Sequence, residues 1–293
     1  MLYTIKNNDL EVQISDHGAE IKSIKYHGLE YLHDSNPKYW SYSAPLLFPN
    51  IGKLKDDTTK FNGINYPMRK HGFARNFDFK FVSQSDDKIT FLLKADKESL
   101  IIYPFDFELY VDYKLKNNQL LSEIRVINHS KSVMPFNLGL HPAFKVPLLA
   151  NEKFEDYHII FDKCGTYETP EVDLETGLID FTKRSKEFIN LKELNLNYAD
   201  YERDAIVLEN VISHNVLLEN KDTHHGVRFI FDDFIHLGIW TPNGGKFAPF
   251  ICIEPWIGCA DRPQTDGEFS SKRDLIFLKE NEEKLIKYHY EFQ

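Results

Sequence analysis

Short runs of alternating apolar and polar residues recur along the chain, each bounded by a cluster of turn residues. LEVQIS (10–15) alternates, and so does EIKSIKY (20–26). KITFLLKA (88–95) follows QSDD, while DFELYVDYKL (106–115) and LLSEIRVINHS (120–130) flank KNNQ, which reads as a hairpin loop. DAIVLEN, HNVLLEN and GVRFIFDD succeed one another between 204 and 233. A two-residue period turns one face of each run toward a core and the other away from it. Many such runs at this spacing specify an all-β sandwich or barrel. The 23 Phe and 15 Tyr also fit strands better than helices. Helical periodicity is scarce: KEFINLKEL (186–194) reads as one short helix and KESL (97–100) as a turn. So many strands must fold over a second sheet to cover their apolar face. The expectation from the pattern is an all-β sandwich or barrel. No shift in composition marks a linker and no repeat is present, so residues 1–293 read as a single domain.

Several function classes are excluded. A net charge of −10 argues against a nucleic-acid surface, which needs a basic stripe. No apolar stretch approaches the ~18 residues of a membrane span, and the first 20 residues lack the pattern of a signal peptide. Cys164, Cys252 and Cys259 form no CxxC pair, so neither a disulfide frame nor a zinc site is expected, and a cytoplasmic setting fits. There is no HExxH, HxH, EF-hand loop, GxSxG elbow or GxGxxG turn. NGGKFAP (243–249) lacks the spacing and hydroxyl of a phosphate-binding loop. Two histidines and a glutamate would suit a metal, but they stand singly along the chain, and no metal is expected.

Four stretches differ from plain strand or loop. APLLFPNIGKLKDD (44–57) frames an apolar run with prolines and places Lys53 after a glycine. MRKHGFARNFDF (68–79) crowds Arg69, Lys70, His71 and Arg75 around a glycine. In MPFNLGLHPAF (134–144), Phe136, Leu138 and Leu140 share one parity, and Asn137, Gly139 and His141 the other. One face is then core; the other is polar, with a glycine that admits close approach to the backbone. In PFICIEPWIGCAD (249–261), Glu254 closes an apolar run and shares its parity with Phe250 and Cys252. Both His141 and Glu254 precede a proline, as groups aimed from strand ends into a cleft. The plainer readings are a structural histidine, a solvated turn at His71, and a Glu254 paired with Arg262 or Lys272. The other histidines are taken as surface residues.

With these residues in view, the chain resembles the aldose 1-epimerases (galactose mutarotase superfamily), and among them the LacX-like branch. The matching stretches, in the family's order from residue 18 to 272, include GAEIKSI, YLHDSNPKYW, APLLFPNIGKL, KHGFARNFDF, LGLHPAF, GIWTP, FICIEPWIGCAD and DGEFSSK. The resemblance implies a large antiparallel β-sandwich (the galactose mutarotase-like supersandwich), no cofactor, and interconversion of the α and β anomers of a free aldohexose. By the same resemblance Glu254 matches the catalytic base and His141 the general acid. His71 matches a second histidine that holds the sugar, and Asp204 an aspartate that binds its hydroxyls. Lys53 stands where the family usually has arginine, keeping the charge without the planar fork.

That chemistry requires a base for the proton on the C1 hydroxyl and an acid for the ring oxygen, pictured here on opposite sides of the sugar. Each contributes about 10²–10⁴-fold when well placed. Burial beside Trp256 would raise the Glu254 pKa, and the carboxylate would keep His141 charged. Trp256, Phe73 and Trp40 offer apolar walls for a sugar face. A hexose-phosphate epimerase would instead need a basic pocket, for which Lys53, Arg69, Lys70 and Arg75 are available. A glycosidase would need two facing carboxylates, and only Glu254 has a convincing setting. A non-catalytic sugar-binding module gains some weight from Lys53. The partner in every case is a small sugar, with neither nucleic acid nor membrane.

Overall fold

The computed structural model describes every residue except Asn243, Gly244 and Lys246, which belong to the NGGKFAP stretch. It is an all-β protein in which every strand ladder is antiparallel. A nine-stranded sheet runs, in spatial order, from the Ile179–Asn195 strand at one edge to Lys80–Gln84 at the other, with Glu283–Phe292 at its centre. A second sheet is built on Phe250–Ile257, flanked by His236–Trp240 on one side and by Leu138–Leu140 and Ala143–Lys145 on the other. The first 30 residues add a four-stranded sheet.

The two larger sheets meet through aromatic side chains. Phe144 of the second sheet packs edge-on to Tyr290 of the first, with ring centroids 5.3 Å apart. Phe48, beside the second sheet, meets Phe107 of the first at 5.4 Å. One continuous apolar cluster runs between the layers, drawing on residues from Ile5 to Phe292. Burial of this kind is the main force holding two sheets face to face. Among the described residues, no helix is long and apolar enough to cross a membrane.

The alternating runs form the strands expected of them. LEVQIS is the Leu10–Ser15 strand, with Leu10, Val12 and Ile14 buried. Phe107–Lys116 and Gln119–Asn128 pair over their whole length around KNNQ, closing at Lys116 opposite Gln119, with Asn117 at φ 52°. A left-handed conformation of this kind is one that asparagine tolerates better than most residues.

Two local expectations are corrected. KEFINLKEL is not a helix but part of the 17-residue Ile179–Asn195 strand. Its partner, Tyr157–Val172, is interrupted by register shifts around Gly165, which pairs with Leu191. Bulges break the two-residue period, so Leu191 and Leu194 are both buried at a spacing of three that mimics a helix face. KESL, expected as a turn, is a single helical turn, Lys97–Leu100. Asp96 caps it, accepting from the backbone N–H of Glu98 and Ser99, and the Ser99 hydroxyl accepts from the Asp96 N–H.

Candidate active site

The Phe250–Ile257 strand is buried along all eight residues. Ile251, Ile253 and Ile257 face the inter-sheet core, as do Leu138 and Leu140 of the neighbouring strand. On the opposite parity, Cys252 packs against Ala143, Ala248 and Phe250, and beside it Glu254 and Trp256 face a cavity of about 670 Å³ on the other side of the same sheet. That is the size range of small-molecule sites.

Pro142 divides the neighbouring strand in two, but the register is the same on both sides of the break. Gly139 lies opposite Trp256, and Ala143 lies opposite Cys252. His141, midway between, therefore falls opposite Glu254. The two side chains touch, with His141 Nε2 3.1 Å from Glu254 Oε2. Both are nearly sealed from solvent, at 6% and 2% exposure. The two groups touch each other directly, where the sequence suggested an acid and a base standing apart.

Glycines shape the floor. A methyl on Gly139 would sit 2.8 Å from Trp256 Cδ1, and one on Gly238 would sit 2.6 Å from its Cη2. The Trp256 indole thus lies across the two strands that flank its own. Trp40 stacks on the His141 ring at 4.6 Å, and Trp240 meets it edge-on at 5.7 Å. Phe73, expected as a wall, instead packs into the core against Phe77, Phe107 and Tyr103.

His71 arrives from the KHGFARN turn, which docks on the chain around Phe48. Its backbone N–H donates to the Gly52 carbonyl (2.9 Å), and its Nδ1 accepts from the Gly52 N–H (3.1 Å). Gly72 follows at φ +71°, where a Cβ would lie 2.2 Å from the Phe48 carbonyl oxygen, so only glycine fits. The Gly52 contact leaves His71 Nε2 as the N–H donor. Its ring stands edge-on to His141 at 5.6 Å.

Burial dominates the electrostatics. It pushes Glu254 well above the ordinary carboxylate range, with Lys70 opposing and Asp204 adding to the rise. It pushes His141 and His71 well below the usual histidine value, and Lys70 and Arg75 push the same way. The expectation of a charged His141 is corrected here: desolvation outweighs the neighbouring carboxylate, and the pair tends toward neutral partners.

Asp204 lines the cavity, with Oδ1 accepting from the Ala205 N–H at 2.8 Å. Lys53 and Arg69 do not line it. The Lys53 ammonium is drawn 2.5 Å from Asp57, and Arg69 is exposed on the turn. Among the described residues, the lysine and arginine side chains that line the cavity are Lys70 and Arg75. Parity inside a turn cannot be read from sequence, so Lys70 was indistinguishable from its neighbour. Arg75 is anchored by donating to the Lys70 carbonyl (2.9 Å) and by lying over the Tyr42 ring. Tyr201 and Glu202 also line the cavity and carried no sequence signal. Lys272 pairs with buried Asp261 rather than with Glu254, and Arg262 is exposed. His33 and His236, taken as surface residues, are buried: His33 bonds the Trp40 carbonyl and His236 bonds Asp274. His141, Cys252 and Glu254 bring ligand-type atoms within 4.8 Å of one another, although the sequence scatters them.

A sequence profile described as aldose 1-epimerase matches residues 1–290. The chain belongs to the aldose 1-epimerase family. It is therefore an isomerase of carbohydrate metabolism. Among curated relatives, the chromosomal protein LacX of Lactococcus lactis subsp. lactis is 37% identical over 265 residues, 88% of each chain. A galactose mutarotase related enzyme from Lactobacillus acidophilus superposes with a TM-score of 0.94 at 34% identity, over 100% of this chain and 97% of its own. A galactose mutarotase-like protein from Lactobacillus casei gives 0.91 at 28% identity, over the full length of both. The expected supersandwich fold is that of this family.

Proposed function

We propose that this aldose 1-epimerase interconverts the α and β anomers of an aldohexose, with Glu254 as base and His141 as acid. The observation that carries the reading is their 3.1 Å contact at the bottom of the cavity. Glu254 takes the proton of the C1 hydroxyl while His141 gives one to the ring oxygen; the C1–O bond to the ring opens and a carbonyl forms. Rotation about C1–C2 presents the other carbonyl face. Closure then runs the two transfers backwards. The two acceptor and donor oxygens sit on one carbon, which is why adjacent rather than opposed catalytic groups suffice.

The pair needs one proton in total. After opening, Glu254 is protonated and His141 neutral, the distribution that burial favours. The charged distribution differs from it only by a proton moved across a hydrogen bond. His71 donates Nε2–H to a sugar oxygen, Asp204 accepts from hydroxyls, and Trp256 forms the floor. Lys53 and Arg69, remote from the lining, are assigned no sugar contact.

Polarimetry of freshly dissolved α-glucose or α-galactose tests this. Wild type speeds equilibration, and Glu254→Gln lowers kcat/KM by about 10²–10⁴-fold with its fold intact by circular dichroism. An inert wild type on a panel of free and phosphorylated aldoses refutes the reading.

A further inference from the structure

Among the described residues, two clusters bring a histidine nitrogen, a cysteine sulfur and a carboxylate oxygen within 4.8 Å of one another: His141, Cys252 and Glu254, and His236, Cys259 and Asp274. They differ in where the imidazole keeps its hydrogen. His236 Nδ1 accepts from the Asn210 backbone N–H at 3.1 Å, so the ring hydrogen must sit on Nε2, which donates to Asp274 at 2.9 Å. No lone pair is left there for a metal, and Arg273 Nε stands 3.7 Å from the same carboxylate. At His141 no donor is directed at Nδ1. The ring hydrogen is free to sit on that nitrogen, and Nε2 then presents its lone pair to Glu254 Oε2 at 3.1 Å. The sheet supplies the third atom. Cys252 and Glu254 share one face of their strand, and His141 reaches Glu254 from the strand beside it.

We propose that His141 Nε2, Cys252 Sγ and the Glu254 carboxylate bind a thiophilic divalent cation, Zn²⁺ foremost, in place of the protons of this site, and that the bound cation blocks the catalytic pair. Nitrogen, thiolate and carboxylate ligands suit Zn²⁺, whereas Mg²⁺ and Ca²⁺ call for oxygens. In a tetrahedral zinc site such ligands stand about 3.3–3.6 Å apart, so the set closes with side-chain movements on the order of 1 Å. The cation enters from the cavity, which His141 and Glu254 line, and its fourth position takes water or a sugar hydroxyl. Charge balances in the exchange. The thiol proton of Cys252 and the proton shared by His141 and Glu254 leave, and one doubly charged cation enters. The net charge of the buried site is unchanged, so the field of Lys70 and Arg75 at His141 does not by itself oppose the exchange. Binding is independent of the mutarotase reading; only the blocking of turnover rests on it.

Zn²⁺ titration calorimetry and Co²⁺ absorption spectroscopy on the full chain test this. Wild type binds Zn²⁺, and Co²⁺ gives a thiolate-to-metal charge-transfer band. Cys252→Ala abolishes the band and weakens Zn²⁺ by about 10-fold or more, while Cys259→Ala changes neither. Where Cys252→Ala does not fold, Glu254→Gln carries the same affinity test. A wild type without the thiolate band, or a Zn²⁺ affinity that the folded variant leaves unchanged, overturns the proposal. In polarimetry Zn²⁺ slows wild type, a chelator restores it, and Cys252→Ala, which retains turnover, needs about 10-fold more Zn²⁺ for the same effect. The two readings fail separately. Zn²⁺ binding of this kind by a protein inert on every aldose sinks the mutarotase and leaves the metal site; full turnover at saturating Zn²⁺ overturns the proposal and leaves the mutarotase.

Discussion

Gly238 is where the floor of the cavity is most exposed to a single methyl group. It lies opposite Glu254 in the ladder, and a Cβ on it would come 2.6 Å from Trp256 Cζ2 and Cη2. Gly238 is an ordinary strand residue that alanine can match, so the backbone raises no objection. Carbon atoms prefer about 3.5–4.0 Å, so the indole must move by roughly 1 Å. Two effects compete in Gly238→Ala. Loss of unfolded-state freedom stabilises by about 0.4–1 kcal/mol. Overpacking a filled site costs about 1–3 kcal/mol. The second wins, for a net loss of about 0.5–2 kcal/mol. A 1 Å shift of a surface that positions substrate also costs up to about 100-fold in rate. The clash is with the outer ring of the indole, whose reach phenylalanine lacks. Urea unfolding of wild type, Gly238→Ala, Trp256→Phe and the double variant should therefore give a coupling of at least about 0.5 kcal/mol, with alanine better tolerated in the Trp256→Phe background. Additivity within about 0.3 kcal/mol would refute the claim that the indole is what requires a glycine here.

The buried Lys272–Asp261 pair predicts a large loss for one partner: Lys272→Met costs about 3–5 kcal/mol in urea unfolding, and adding Asp261→Asn recovers most of it. A single-variant cost below about 1 kcal/mol would contradict that. Stability should also depend on pH in two opposite senses. His71 and His141 have lowered native pKa values, so the unfolded chain binds protons first; their contribution is present above about pH 6.5 and is lost as pH falls. Glu254 has a raised native pKa, so the unfolded chain ionises first, and stability drains as pH rises above about 4.5. Thermal melts of wild type and Glu254→Gln should therefore diverge in the variant's favour between about pH 5 and pH 8, and a constant gap would refute the raised value.

How much of this was legible beforehand depended on whether a signal was local. Leu10–Ser15 and Gln119–Asn128 were readable because alternation in one strand needs no knowledge of its partner. Glu254 stood out as an acid closing an apolar run, and His141 as a titratable group on a polar parity just before a proline. Their contact was not readable, because it depends on a register shared across the break at Pro142. Leu191 and Leu194 misled because the bulges that set their spacing originate at Gly165, in the partner strand. The family resemblance points to Lys53, and charge alone does not separate Arg69 from Lys70 and Arg75. Which of them faces the cavity is decided by the turn at His71 and by the nearness of Asp57, and composition does not encode either.

The central claim is that Glu254 and His141 act as one unit holding a single proton. Polarimetric kcat/KM for wild type, Glu254→Gln, His141→Gln and the double variant tests it most directly. Each single change should cost about 10²–10⁴-fold, and the double no more than the worse single. Multiplying losses, or one single variant with near wild-type activity, would contradict it.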